Sequence, residues 1–197
     1  MKANLESAEL ILRLWRRLYE TYTVLKRCED RIFEAHGLTT EQYAVLVSLS
    51  YVGQPARITD IAQWLERSTN SISMIVDRMV KGGLVRRVRD KVDRRVVYVS
   101  KTSKAESMFR PATVESFANV RNILSPIPDK DKLTLVNLLG EVKYETLKCL
   151  DREVDIEKIK RDELKQSASI KKWMSQYGGS SALEAKCQGR KKKKTAR

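Results

Sequence analysis

The segment RDKVDRRVVYVS, from Arg89 to Ser100, carries six charges in its first seven residues and then continues as a run of β-branched and aromatic residues. Valine and tyrosine favour strands, whereas a dense cluster of charges favours a solvated turn. A second run rich in valine, Leu84 to Val88, comes directly before this segment. Together the two runs predict a two-stranded β-hairpin with a basic tip.

Two short helices are predicted immediately before the hairpin. Both have apolar residues at helical spacing; the second begins at Ser68, a residue type that caps helix N-termini, and ends at Gly82-Gly83. The apolar residues are Ile58, Ile61, Ala62 and Leu65 in the first helix, and Ile72, Ile75, Val76 and Met79 in the second. The order helix, polar turn, helix, hairpin predicts a mostly α (α+β) fold that contains a winged helix-turn-helix.

Longer helices are predicted on both sides of this region. Residues 5–36 and a segment starting at Asp129 repeat apolar residues every seven positions, which is typical of a seam that packs against another helix. The repeats are Ile11, Leu18, Leu25 and Ile32 in the first helix, and Leu135, Val142, Cys149 and Ile156 in the second. The capping pattern at Thr39 or Thr40 predicts one more helix N-terminus.

The formal net charge of +14 is concentrated in two parts of the chain. Residues 57–101 hold 11 basic and 5 acidic residues, and residues 161–197 hold 11 basic and 3 acidic residues. An excess of lysine and arginine favours polyanionic partners, either nucleic acid or an anionic membrane. One of the two basic parts therefore coincides with the predicted helix-turn-helix and hairpin.

The residue inventory argues against several classes of protein. The longest mostly apolar stretch, residues 43–52, is too short to span a bilayer, and the N-terminus does not resemble a signal peptide, so a soluble cytoplasmic protein is expected. Three distant cysteines and one histidine predict neither a disulfide framework nor a metal site. Because no nucleophile, metalloprotease or phosphate-loop motif is present, we expect no enzyme and no cofactor.

The sequence resembles the MarR family of transcriptional regulators in six fragments that follow the family's order. They are Gly37-Leu-Thr39, Ile61-Ala-Gln-Trp-Leu65, Ser68-Thr-Asn-Ser-Ile72, Val76-Asp-Arg-Met79, Gly83-Leu-Val-Arg-Arg87, and Asp93-Arg-Arg95 before Val99-Ser100. The sequence departs from the family pattern at Leu65-Glu-Arg67, where many members have a turn with glycine. It also departs at Met74, where an arginine or another polar residue is common.

The resemblance implies a domain organisation. Residues 39–102 would form the winged helix-turn-helix DNA-binding domain, and residues 1–38 and 103–160 would form a helical dimerisation region. Residues 161–197 have no counterpart in the family pattern, and their composition predicts a basic C-terminal extension that is partly disordered.

The resemblance also implies which residues contact DNA. The second short helix would be the recognition helix in the major groove, and Arg95 at the hairpin tip would enter the minor groove while Asp93 supports the loop. The predicted DNA-binding residues are Ser68, Thr69, Asn70, Ser71, Ser73, Arg78, Arg94 and Arg95. The alternative interpretation is a solvated helix face and a charged tip that protects an edge strand.

Members of the family bind small aromatic or anionic effectors in a crevice, and four aromatic residues are candidates to line it here. They are Trp15, Tyr22, Tyr43 and Phe109. Aromatic residues at helical spacing are also common in ordinary cores, which is the competing interpretation.

The resemblance implies a homodimer on double-stranded DNA with a roughly palindromic site. The predicted function is a sequence-specific transcriptional regulator, most simply a repressor of nearby genes that a small-molecule effector releases. The alternative is a non-specific or architectural DNA-binding protein without an effector, in which the basic residues supply affinity alone.

Overall fold

A computed structural model of the chain describes residues 2–90 and 96–177. The described residues form two compact units, which divide within one helix between Ala112 and Thr113. In chain order the elements are α1 (Lys2–Ala35), α2 (Thr40–Val52), β1 (Ala56–Arg57), α3 (Ile58–Trp64), α4 (Thr69–Lys81), β2 (Val85–Arg89), β3 (Val97–Lys101), α5 (Ser103–Leu124), α6 (Asp129–Leu150) and α7 (Ile156–Tyr177). The mostly α fold with a winged helix-turn-helix is confirmed.

Local capping signals set the boundary between α1 and α2. Gly37 follows α1 with a φ of 72°, a conformation that favours glycine, and the Leu38 N–H donates to the Phe33 carbonyl at 2.9 Å. The hydroxyl of Thr39 accepts from the Gln42 N–H at 3.2 Å, and the Gln42 side chain accepts from the Thr39 N–H at 3.0 Å. This reciprocal capping box confirms the helix start predicted from sequence.

The core of the first unit brings together the end of α1, the winged helix-turn-helix and the start of α5. Its largest fully buried apolar side chains are Phe33, Leu38, Val45, Leu46, Leu49, Ile61, Ile72, Val76, Met79, Val99 and Phe109. Burial of each such side chain contributes roughly 1.5–3 kcal/mol relative to exposure. The apolar spacing of the sequence therefore identifies the buried faces of α3 and α4.

The hairpin predicted from sequence is confirmed, and the β-sheet contains a third strand that the sequence did not predict. β2 and β3 pair antiparallel from Val85↔Lys101 to Arg89↔Val97. β1 adds to the other edge of β3 through the pairs Ala56↔Val99 and Arg57↔Tyr98, which gives the order β1-β3-β2. Two residues are too few to show any strand periodicity, which is why β1 is not apparent in the sequence.

In the second unit, the predicted continuous seam through Ile156 is wrong. α6 ends at Leu150, Asp151 is extended with a φ of −145°, and Ile156 begins α7. Cys149, predicted on the apolar seam, is exposed. The predicted seam therefore extends only along α6.

α7 includes the first residues of the predicted C-terminal extension, and residues 178–197 of that extension lie outside the described residues. Glu163 joins α7 to α6: its carboxylate accepts from Lys143 Nζ at 2.8 Å and from the Tyr144 hydroxyl at 2.5 Å. The hydrogen bond to Glu163 raises the pKa of Tyr144. No helix in the described part of the chain has an apolar stretch long enough to cross a bilayer.

Candidate nucleic-acid interface

The turn between α3 and α4 forms without glycine. Glu66 adopts a positive φ of 52°, which a residue with a Cβ atom adopts only at some cost in energy. The Leu65 N–H donates to the Ile61 carbonyl and the Arg67 N–H donates to the Ala62 carbonyl, both at 3.0 Å. The positive φ of Glu66 therefore allows the turn to form without the glycine that many family members have, and α4 begins at Thr69.

α4 is an amphipathic helix with a polar N-terminus. The Ser68 hydroxyl caps it by accepting from the Ser71 N–H at 3.2 Å, as predicted from sequence. One face is buried in the core through Ile72, Ile75, Val76 and Met79. Because this face is fixed in the core, the opposite face of the helix is presented to solvent.

The residues predicted to contact DNA from this helix differ in accessibility. Ser68, Thr69, Asn70 and Arg78 are exposed, whereas Ser71 and Ser73 are half-buried. Met74, which follows Ser73, is 66% exposed. The structure thus brings four of the predicted residues to the accessible surface of α4 and leaves two partly covered.

β2 carries three further arginines, and one of them contacts α4. Arg86, Arg87 and Arg89 are exposed, and Arg87 Nη2 lies 2.6 Å from Asp77 Oδ1 of α4. This ion pair joins β2 to α4, and the other two arginines are exposed to solvent. The DNA-binding residues predicted from sequence did not include these three arginines, although they contribute to the excess of basic residues in 57–101 that indicated a polyanionic partner.

The predicted wing-tip residues Asp93, Arg94 and Arg95 lie outside the described residues. The described strands on either side end in a paired register, with Arg89 opposite Val97. The Asp90 N–H also donates to the Val96 carbonyl at 3.0 Å. The roles of the three tip residues therefore stay predictions.

Glu41, in the first turn of α2, binds two arginines of the helix-turn-helix. Its carboxylate oxygens lie 3.5 Å from Arg67 Nη2 in the turn and 3.5 Å from Arg78 Nη2 in α4. All three side chains are at least 41% exposed, so water weakens both contacts. Arg78, a predicted DNA contact, is therefore shared with a carboxylate of the protein itself.

The same three residues line a pocket of about 680 Å³ in the first unit. Its lining residues are Tyr22, Lys26, Asp30, Thr39, Thr40, Glu41, Gln42, Ala44, Arg67, Ile75 and Arg78. Asp30 accepts hydrogen bonds from Lys26 Nζ, 2.9 Å from Oδ2, and from the Thr40 hydroxyl. These bonds hold the pKa of Asp30 below its ordinary value, so this wall of the pocket carries an ion pair at neutral pH.

Of the four aromatic residues predicted to line an effector crevice, the structure brings only Tyr43 and Phe109 together, and only Tyr22 lines the pocket. Tyr22 lines the pocket, but Trp15 is exposed elsewhere on α1 and packs edge-on against Tyr19 at 5.4 Å. Phe109 is fully buried, and its ring lies 5.4 Å from that of the half-buried Tyr43. Tyr43 and Phe109 are thus core residues of the first unit rather than lining residues of this pocket.

The exposed side chains of α4 and β2 carry groups that are suited to binding. These groups are hydroxyls, amides and guanidinium groups, which bind phosphates and base edges. Within residues 2–90 and 96–177, no group of three or more histidine, cysteine, aspartate or glutamate side chains is placed to hold a metal ion.

Comparison with known proteins agrees with this geometry. The sequence pattern of the MarR family matches residues 36–96. The chain is 30% identical over 113 residues to the HTH-type transcriptional regulator MgrA of Staphylococcus aureus, an alignment that covers 57% of this chain and 75% of MgrA. It is 36% identical over 103 residues to the transcriptional activatory protein BadR of Rhodopseudomonas palustris, covering 51% of this chain and 59% of BadR.

Among solved structures, the ligand-free form of the organohalide-sensing transcriptional regulator RdhR-CbdbA1625 is similar, with a TM-score of 0.65 and 25% identity. That alignment covers 73% of this chain and 84% of the regulator. The similarity therefore includes most of the regulator's length, well beyond the winged helix-turn-helix alone. This chain is a member of the MarR family of winged helix-turn-helix transcriptional regulators.

Proposed function

We propose that the protein is a cytoplasmic, dimeric regulator that binds an approximately palindromic operator and represses nearby genes until a small anionic effector releases it. It acts through binding alone, without catalysis. The observation that carries this proposal is the exposed polar face of α4 beside the arginines of β2, on a chain that belongs to the MarR family. BadR is described as an activator, and activation on the same architecture requires only a different operator position.

The exposed apolar surface of two helices supports the dimer. α6 has no buried residue, and several of its leucines and valines are exposed. The large exposed side chains include Leu10, Ile11, Leu12, Leu14 and Trp15 on α1, and Leu133, Leu135, Val136, Leu138, Leu139 and Val142 on α6. So much apolar surface on a monomer indicates an interface, and a second copy with the same surfaces would cover it.

Two-fold symmetry has a consequence for the operator. A symmetric dimer presents two copies of α4, and each would enter a major groove on the same side of the duplex. Half-sites about 10 base pairs apart, or a multiple of that spacing, satisfy this geometry.

The charged pocket supports an anionic effector. Lys26, Arg67 and Arg78 supply three cations, against two carboxylates from Asp30 and Glu41. A small anion that enters the pocket would compete with Glu41 for the two arginines. It would then hold Arg78 in the pocket, away from phosphate. RdhR-CbdbA1625 is described as sensing organohalides, so a response to a small molecule occurs in a related protein.

Specific binding separates this proposal from the alternative of an architectural protein. We expect an operator from its own promoter region to bind at least about 10³-fold more tightly than bulk DNA at physiological salt, which is the usual lower range for specific regulators. A competition titration of labelled promoter fragments against unlabelled genomic DNA measures this ratio. A ratio near one would support the architectural alternative and contradict the proposal.

Replacing Glu41 with Gln should strengthen operator binding by about two- to fivefold, the scale of losing exposed ion pairs that compete with DNA. Arg67 and Arg78 would lose their carboxylate partner and become available to phosphates. The slope of log affinity against log salt should also become steeper. Fluorescence anisotropy at several salt concentrations measures both changes.

Glu34→Gln is the matched control, because Glu34 is exposed on α1, outside the pocket lining, and the substitution changes net charge equally. If the Glu41 and Glu34 variants bound operator with the same affinity and salt slope, general charge rather than release of Arg78 would explain the effect.

A further inference from the structure

Met74 is a large apolar side chain on the otherwise polar exposed face of α4. It is 66% exposed, while the four apolar residues of the opposite face are at most 3% exposed. Single exposed apolar residues are common on protein surfaces, so exposure alone assigns no role. The position of Met74 on a recognition helix gives it a specific chemical environment, because that face would lie against the edges of base pairs.

The major groove contains one apolar group, the C5-methyl of thymine. Asn70 lies one helical turn before Met74, so the two exposed side chains are neighbours on the same face. Asparagine is suited to a bidentate pair with N6 and N7 of adenine, and an apolar side chain is suited to the thymine methyl. Two adjacent residues of α4 thus fit the two bases of A·T pairs.

From Thr69 to Asp77, no residue of α4 favours guanine, and Arg78, one turn after Met74, lies 3.5 Å from the Glu41 carboxylate. Arginine and lysine are the usual partners of guanine O6 and N7, and positions 69–77 of α4 contain neither. The acidic residue of this segment, Asp77, is held by Arg87 at 2.6 Å, which leaves it less available to accept from cytosine. The centre of the recognition face therefore offers one amide and one thioether side chain to the bases.

We propose that α4 reads A·T pairs in the major groove of each half-site, with Asn70 on adenine and Met74 against the methyl group of thymine. This inference rests on the proposed function, because it requires that α4 enter the major groove of a discrete operator. It makes Met74 a specificity-determining residue at the position where the sequence departs from the family pattern.

The experiment is a thymine-to-uracil scan of the operator, in which each substitution removes one methyl group and leaves the base pairing unchanged. We expect the wild-type protein to lose about fourfold in affinity at the thymine that Met74 contacts, the equivalent of one buried methyl-sized group. Met74→Ala should bind the thymine and uracil operators equally. Met74→Leu, which keeps an apolar side chain, should retain the preference for thymine.

Two further variants complete the test. Val80→Ala removes an exposed apolar side chain from another side of the same helix and should leave the uracil scan unchanged. Asn70→Ala should abolish the response to 7-deazaadenine at an adenine in the same or the adjacent base pair, because that analogue lacks the N7 acceptor. Thermal unfolding of each variant checks the fold, and truncation of the exposed Met74 should leave it intact.

The possible outcomes distinguish failure of the proposed function from failure of base reading by Asn70 and Met74 alone. If the wild-type protein selects no operator over bulk DNA, the proposed function fails and this inference fails with it. If the protein selects an operator but the uracil scan is flat, or if Met74→Ala keeps the wild-type preference for thymine, the inference alone is overturned.

Discussion

Replacing Leu135 with Asp is expected to convert the dimer into monomers and to weaken operator binding by at least about 100-fold. Leu135 lies on α6 and is 43% exposed, so the substitution does not disrupt a buried core of the single chain. In the proposed dimer it would place an unpaired carboxylate in an apolar interface, which costs roughly 3–5 kcal/mol. Loss of the dimer also removes the second half-site contact, because a monomer presents a single α4.

Asn137→Asp is the matched control for this substitution. Asn137 is exposed on the same helix, and the change adds the same charge at a position that is already polar. Light scattering and sedimentation velocity give the mass of each variant, and an operator titration gives its affinity. A monomeric wild-type protein, or a Leu135→Asp variant that remained dimeric, would contradict an interface on this face of α6.

Capping residues explain why three helix boundaries are predictable from this sequence. Thr39 and Ser68 accept hydrogen bonds from the first turns of α2 and α4, and Gly37 has the positive φ that ends α1. These signals operate over three or four residues, so they are visible in the sequence itself. The same holds for the buried face of α4, because its apolar spacing repeats with the helical period.

The errors in the predicted fold arise from contacts that are distant in sequence. β1 exists because Ala56 and Arg57 pair with Val99 and Tyr98, about forty residues further on. The break between α6 and α7 contains no proline or glycine, and the seven-residue apolar spacing continues through it. α7 itself is joined to α6 by Glu163, through bonds to Lys143 and Tyr144 that span about twenty residues. A local pattern does not indicate any of these contacts.

The candidate site, like the fold, has features that local sequence predicts and features that depend on distant contacts. Sequence periodicity predicts which side of α4 is accessible, but it does not predict that Glu41 approaches Arg78 from 37 residues away. It also cannot distinguish an aromatic residue in a core from one that lines a crevice, because both occupy the inward face of a helix. Tyr43 of α2 and Phe109 of α5 illustrate this limit: both were predicted to line a crevice, and both lie in the core of the first unit.

Arg95→Ala is expected to weaken operator binding by about 1–3 kcal/mol, roughly 5- to 150-fold, without changing the oligomeric state. Arg95 comes two residues before β3, and β3 is paired on both edges by β1 and β2. Because β3 is hydrogen-bonded on both edges, its position is fixed, and the wing that precedes it would extend from a rigid strand into the minor groove. Narrow A·T-rich grooves concentrate negative potential, so the loss of a cation should reduce binding affinity most at such grooves.

Three comparisons make this result specific to the wing. Arg95→Lys should recover only part of the affinity, because the ammonium group is more strongly hydrated than the guanidinium group and loses more on entering a narrow groove. Asp93→Ala should weaken binding indirectly, by loosening the loop that carries Arg95. Arg110→Ala removes the same charge from an exposed position on α5, so its smaller effect measures the contribution of general electrostatics.

The flanking sequence of the operator provides the decisive measurement. Each variant is titrated on operators whose flanks, where the wing would reach, contain either A·T or G·C pairs. The wild-type protein should prefer A·T flanks, because their groove is narrower, and Arg95→Ala should lose that preference together with its affinity. If Arg95→Ala instead bound both operators as tightly as Arg110→Ala, the charges at the tip would act only against edge-to-edge association of strands. Minor-groove recognition by Arg95 would then be wrong, while reading of the major groove by α4 would be unaffected.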